Sequence, residues 1–297
     1  AYEIRNCDWS SDVCSSDLIN LVNTEFKKFT IDFSYIDIND VDLLKSTIKK
    51  NTRIIYFETP TNPLLQIVDI SLISSVANEN NIISIIDNTF ASPINQNPIN
   101  FGIDLVIHSA TKYLGGHSDI LAGSVSGAKE HIEKIKKSGI NYGANLSDYT
   151  VWLLERSIKT LSVRVNAQNQ NALDLAKFLD HNSLIKKVFY PGLENHSSHE
   201  IASKQMNGFG GMMSFEVTDK INSEDFVSDL KIISPTMSLA GVESSITSPS
   251  KTSHKKVDPQ IRKKLGISDN LLRFSVGIED IEDLMLDLDK SLKNNVR

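Results

Sequence analysis

Three short apolar runs, Ile54-Ile55-Tyr56-Phe57, Ile82–Ile86 and Leu105-Val106-Ile107, each stop at a cluster of polar residues. Those clusters recur in phase: Asn62, Asp87 and Lys112 stand at equal 25-residue intervals. A strand, a helix and two short loops fill about that length, so each interval reads as one strand–helix unit. Continuous Ile/Val runs alternating with helical segments predict an α/β chain with a mostly parallel sheet, covered on both faces. Open sheets of this kind bind ligands beyond the carboxyl ends of their strands. The spacing therefore predicts that Asn62, Asp87 and Lys112 converge on one small molecule.

The intervening segments support that frame. Val41–Lys50 reads as a short amphipathic helix, and Thr59–Pro63 as a turn. Asp69 is placed to cap a helix running to about Asn80, with Ile70, Ile73, Val76 and Ala77 facing the core. Ile120–Gly127 reads as a strand, and Asp148 to about His181 as one long helix joining two units. Beyond it come a helix near Ile201, a strand at Gly211–Val217, a helix near Asp225–Leu230, a strand at Leu271–Val276 and a closing helix at Ile281–Leu292. That pattern predicts a large domain over 19–165 and a smaller α+β domain over 166–297. Residues 1–18, rich in Ser, Asp and Cys, do not match the Ile/Asn/Lys-rich text that follows and read as a foreign or disordered leader.

The polar residues invite specific chemistry, each beside a plainer alternative. A lysine at the mouth of a buried strand, flanked by Ser109, Thr111 and Gly115-Gly116, suits imine formation with a phosphorylated aldehyde. It could equally reach out to solvent. Asp87 can partner a protonated ring nitrogen or cap a helix. Ser109 and Thr111 can bind phosphate or local backbone. Arg273, within an apolar strand, needs an anion: a substrate carboxylate or an internal one.

Other classes are disfavoured. A net charge of -6 argues against nucleic-acid or anionic-membrane partners. No apolar run approaches the length of a membrane span, and a cytoplasmic location is expected. Cys7 and Cys14 are the only cysteines, so residues 19–297 hold no disulfide or thiol nucleophile. His196, His199 and His254 fit no zinc spacing and are expected on the solvated surface, and no metal is expected.

Four ordered motifs then carry a resemblance: Glu58-Thr59-Pro60-Thr61-Asn62-Pro63, Asp87–Pro93, Ser109–Asp119 and Leu272–Glu279. From about residue 30 onward the chain resembles the Cys/Met-metabolism enzymes that use pyridoxal phosphate. The family includes cystathionine γ-synthase, cystathionine γ-lyase, cystathionine β-lyase, methionine γ-lyase and the homoserine-ester sulfhydrylases. The resemblance implies the aspartate-aminotransferase type of fold, assembled as a homotetramer, acting on small amino acids. It implies Lys112 as the covalent cofactor lysine and Asp87 on the pyridine nitrogen. It places Ser109 and Thr111 on the phosphate, Asn62 by the cofactor hydroxyl and substrate carboxylate, and Thr89 by the ring. Arg273 and Ser238 would hold the substrate carboxylate.

The resemblance implies γ-replacement or γ-elimination on an O-acylhomoserine or cystathionine. Gly241-Val242-Glu243-Ser244 looks more like γ-synthase and γ-lyase than β-lyase, which tends to carry an aromatic there. Family members also carry a segment before the position of residue 19 that supplies a stacking tyrosine and a phosphate loop. Those parts have no counterpart here, so an N-terminally truncated chain that binds cofactor weakly is expected. A non-catalytic relative is the alternative of another class.

Overall fold

The computed structural model describes residues 3–4, 21–37, 39–253, 255, 257 and 259–297. Most of the segment read as a leader, and His254, lie outside the described residues.

The first sheet has the spatial order β1 (Glu3–Ile4), β2 (Ile54–Glu58), β3 (Ile83–Asp87), β4 (Leu105–Ser109) and β5 (Gly123–Gly127). The β2–β3 and β3–β4 pairings are parallel, as the apolar runs predict. β1, in the segment read as a leader, also pairs parallel with β2, which the apolar runs do not predict. β5 runs antiparallel to β4. The chain between them stays at the edge where β4 ends, so the next strand can only run back. β5 begins at Gly123 rather than Ile120 because Ala122 is tied to Thr111. The Thr111 amide donates to Ala122 O (3.1 Å), and the Ala122 amide donates to Thr111 Oγ1 (3.0 Å).

Helix α1 (Val41–Thr47) is shorter than expected, since Ile48 is already extended. In α2 (Ile70–Glu79) the Asp69 carboxylate accepts the Leu72 amide at 3.0 Å, the predicted cap. Ile70, Ile73, Val76 and Ala77 are buried in one cluster with Ile55, Phe57 and Ile86 of the sheet. Full burial of such an aliphatic side chain contributes about 1.5–3 kcal/mol.

The single helix expected over Asp148–His181 is two: α4 (Asp148–Ile158) and α5 (Leu161–Asp180), preceded by an unanticipated α3 (Lys129–Tyr142). At the break, Arg164 donates to Ser157 O (3.0 Å) and to Thr160 Oγ1 (3.2 Å). A side chain thus satisfies a terminal carbonyl that a continuing helix would have used.

The second sheet comprises β6 (Ile185–Phe189), β7 (Met212–Val217), β8 (Ser234–Pro235), β9 (Ser245–Thr247) and β10 (Leu271–Ser275), in the order β6-β7-β10-β9-β8. All its pairings are antiparallel except β8–β9. Its core joins Leu175 and Leu179 of α5, Phe215, Phe226 and Phe274, and Leu284 and Leu288 of the closing helix Ile281–Asn294. Side chains seat it on the first sheet's edge: Ser214 Oγ donates to Pro63 O (2.6 Å), and Asn169 Nδ2 donates to Asn95 Oδ1 (2.7 Å).

Candidate active site

The parallel register sets Glu58 opposite Asp87 and Asp87 opposite Ile107, so β2 and β3 end level and β4 runs two residues further, to Ser109. The polar residues that follow these ends share one rim. Glu58 Oε1 accepts the Asn62 amide at 3.0 Å and shapes the turn. Asn62 itself is 1% exposed, and both heteroatoms of its side-chain amide lack a hydrogen-bond partner. A buried polar group left unpaired costs about 1–3 kcal/mol. A ligand that brings a donor and an acceptor to Asn62 removes that cost.

Asp87 is buried at the end of β3. Burial raises its pKa, opposed by hydrogen bonds from the Thr89 amide to Oδ1 (2.9 Å) and from Tyr56 OH to Oδ2 (3.3 Å). A carboxylate in that state gains from a cationic partner. Thr89 Oγ1 accepts the Ser109 amide at 2.8 Å, which fastens the end of β3 to the end of β4.

Lys112 is 8% exposed, so the solvent-reaching alternative is not what the chain adopts. Its segment is held by Arg164, a residue that motif reading missed. Arg164 Nη1 donates to Tyr113 O (2.8 Å) and Nη2 to Leu114 O (3.4 Å). Gly116 has φ +71° and lies against this guanidinium, where an added Cβ would sit 2.0 Å from Nη1. Only glycine fits there on both counts. Thr111 Oγ1 takes part in the local backbone pairing with Ala122, donating to its carbonyl at 3.3 Å.

Arg273 lies on β10, 2% exposed, and its Nη2 donates to Met237 O at 2.9 Å. Ser238 follows Met237 and is exposed, its hydroxyl 3.3 Å from that of Ser118 beyond the Lys112 segment. The Val242 amide donates to Gly116 O at 3.0 Å. These bonds bring the loop after β8 against the Lys112 segment.

His196 departs from expectation: it is 8% exposed, with burial lowering its pKa. The turn that carries it folds inward, with Nδ1 accepting the Ser198 amide at 3.2 Å. His199 is half-buried, its Nδ1 2.8 Å from Pro191 O. His108, on β4, is also buried, and desolvation lowers its pKa to about 4. The unfolded chain takes up that proton first, so stability falls as pH drops from about 6.5 to 4, by up to about 3 kcal/mol. Urea unfolding across that range should show the loss, and His108→Asn should flatten it; an unchanged slope would contradict the assignment. No group of three or more potential metal ligands occurs among the described residues.

A buried lysine and a buried carboxylate stand at or just beyond the ends of neighbouring parallel strands, with a buried unpaired amide after the third, a donor set whose chemistry suits a carbonyl cofactor. The family of Cys/Met metabolism PLP-dependent enzymes matches residues 10–293, and the chain belongs to it. It is a pyridoxal-phosphate-dependent enzyme of sulfur amino-acid metabolism, with the aspartate-aminotransferase type of fold. The chain is 45% identical to the cystathionine beta-lyase of Lactococcus lactis subsp. cremoris (strain MG1363), over 92% of this chain and 72% of that enzyme. It is 42% identical to the cystathionine gamma-lyase of Bacillus subtilis (strain 168), over 89% of this chain and 70% of that enzyme. The crystal structure of cystathionine gamma-lyase from Lactobacillus plantarum complexed with L-serine superposes with a TM-score of 0.92 at 38% identity, covering 98% of this chain and 76% of that one. The residues present fit pyridoxal phosphate: Asn62 offers an unpaired donor and acceptor, and Asp87 a buried carboxylate suited to a pyridinium.

Proposed function

We propose that the chain breaks or exchanges the carbon–sulfur or carbon–oxygen bond at Cγ of cystathionine or an O-acylhomoserine. The observation that carries cofactor binding is the buried, unpaired Asn62 amide after the end of β2, and the Gly241-Val242-Glu243-Ser244 loop supports the choice of Cγ. Pyridoxal phosphate, when bound, supplies an electron-accepting ring. Lys112 holds the aldehyde carbon at rest. When not bonded to the cofactor, Lys112 would move protons at the substrate Cα and Cβ. Asp87 would keep the proton on the ring nitrogen, and Thr89 would stand beside the ring. Ser109 and Thr111 bind the phosphate as donors; the Thr111 hydroxyl turns its hydrogen from the Ala122 carbonyl, 3.3 Å away, to a phosphate oxygen and still accepts the Ala122 amide. Arg273 and Ser238, with Asn62, hold the substrate carboxylate and turn the Cα–H bond across the ring. Such orientation contributes several kcal/mol to lowering the barrier.

The cleavage position is tested with cystathionine in excess pyridoxal phosphate. γ-Elimination gives cysteine, 2-oxobutanoate and ammonia; β-elimination gives homocysteine, pyruvate and ammonia. The first set is expected, along with cystathionine formation from an O-acylhomoserine and cysteine. The second set would move the assignment to a β-lyase, the reading favoured by the 45% identity to the Lactococcus enzyme. Methionine γ-cleavage and sulfhydrylation of a homoserine ester are family alternatives, tested alongside with methionine and with an O-acylhomoserine plus sulfide. No product from any of these substrates would favour a non-catalytic relative.

The reading extends to assembly and place. The exposed Tyr142, Tyr149, Trp152 and Val163 supply apolar surface for a homotetramer. No helix among the described residues is long and apolar enough to cross a membrane, and the cytoplasm is the proposed location. A domain boundary near residue 165, just inside α5, agrees with the division into two sheets.

A further inference from the structure

Gln168 is the most deeply set polar side chain of α5, with no exposed surface. Its Nε2 donates to two main-chain carbonyls, Gly241 O at 2.7 Å and Val276 O at 3.2 Å. Both neighbours are acceptors, so the amide can face them only with its NH2 group. Its Oε1 is left buried without a partner. A side chain held in an orientation that orphans its own oxygen is fixed by what its nitrogen does.

The nitrogen joins two particular segments. Gly241 belongs to the loop that begins at Met237 and Ser238, and Val276 directly follows β10, which carries Arg273. The same two segments meet elsewhere, where the Ala240 amide donates to Ser275 Oγ at 2.7 Å. The loop in turn meets the clamp itself, since Met237 O accepts from Arg273 Nη2. Helix α5, through Gln168, is thus the outside support on which loop and strand are set relative to one another.

We propose that Gln168 is a positioning residue for substrate-carboxylate recognition: it fixes the spacing between the Met237–Gly241 loop and β10, and so the aim of Arg273 and the seat of Ser238. The inference rests on the proposed role of Arg273 and Ser238. It assigns Gln168 no contact with substrate or cofactor. Its loss should therefore weaken substrate capture and leave the attachment of cofactor at Lys112 intact.

Gln168→Met keeps length and volume and removes both hydrogen bonds; Gln168→Glu keeps the shape and turns an acceptor toward the carbonyls. In the cofactor-loaded enzyme both should raise KM for the amino-acid substrate about tenfold, the equivalent of one to two lost buried hydrogen bonds. The kcat should change less than KM, and the cofactor absorbance and affinity should stay at wild-type values. Discrimination between the substrate and its carboxamide analogue should fall in parallel. Arg273→Met is the control that separates the two readings. If it leaves KM and discrimination unchanged, the carboxylate clamp itself is wrong. If it raises KM while Gln168→Met does not, the clamp stands and the positioning role is overturned. Equal losses of kcat, cofactor affinity and thermal stability in Gln168→Met would also overturn it, marking Gln168 as packing alone.

Discussion

Lys112→Ala is expected to lower turnover by at least about 10³-fold, because in the proposed function one side chain supplies both the covalent hold and the proton transfers. The substitution removes a buried amine and leaves the segment's other supports in place. Arg164 still grips Tyr113 O and Leu114 O, and the Gly116 amide still donates to the residue-112 carbonyl at 2.7 Å. Unfolding should therefore change little while steady-state turnover in excess pyridoxal phosphate collapses. The visible absorbance of the loaded protein should disappear with it. Turnover within tenfold of wild type would remove Lys112 from the chemistry.

Asp87→Asn should separate stability from function. In the apo protein, burial raises the Asp87 pKa above its unfolded value. The unfolded chain gives up that proton first as pH rises. The carboxyl's contribution is therefore present below the unfolded pKa and lost as pH climbs through the folded one. Above the unfolded pKa the folded chain must either bury a charge or hold a proton that the unfolded chain has released, and asparagine avoids both. The substitution keeps the acceptor for the Thr89 amide and offers Tyr56 OH a donor instead. Thermal unfolding should show a higher apo Tm for Asp87→Asn at pH 7, with the gap shrinking toward acid pH. Turnover should fall by about 10²-fold or more, since a neutral amide does not keep the ring nitrogen protonated. A lower apo Tm with full activity would contradict both halves of the argument.

The parallel part of the first sheet was legible because its strands read as unbroken apolar runs, although one face of β2 and β3 is fully buried and the other mostly half-buried. The polar residues that end those runs could be placed on one rim by spacing alone. What was not legible depends on contacts far apart in sequence. Arg164 reaches Tyr113 across 51 positions, and Gln168 reaches Val276 across 108. A signal was nevertheless present. Arg164 and Gln168 fall on the same helical stripe as the buried Leu161, Val165, Ala172 and Leu175. Polar residues at the buried phase of an amphipathic helix need partners, and here the partners are the loops of the site. The break between α4 and α5 escaped for the related reason that Arg164, several residues on, satisfies the Ser157 carbonyl. Helix α3 buries no residue, so its amphipathic pattern has no counterpart in the core. His196 looked like an ordinary loop histidine because nothing local marks a turn that packs inward.

The account rests on Lys112 as the point of covalent attachment, and that can be read directly. The full chain is incubated with excess pyridoxal phosphate, reduced with borohydride, digested and mapped by mass. Because reduction is irreversible, even weak binding accumulates as product. The account predicts the phosphopyridoxyl mass on the peptide containing Lys112, at near-unit stoichiometry and absent from Lys112→Ala. Label spread over the exposed lysines, or unchanged in Lys112→Ala, would contradict it.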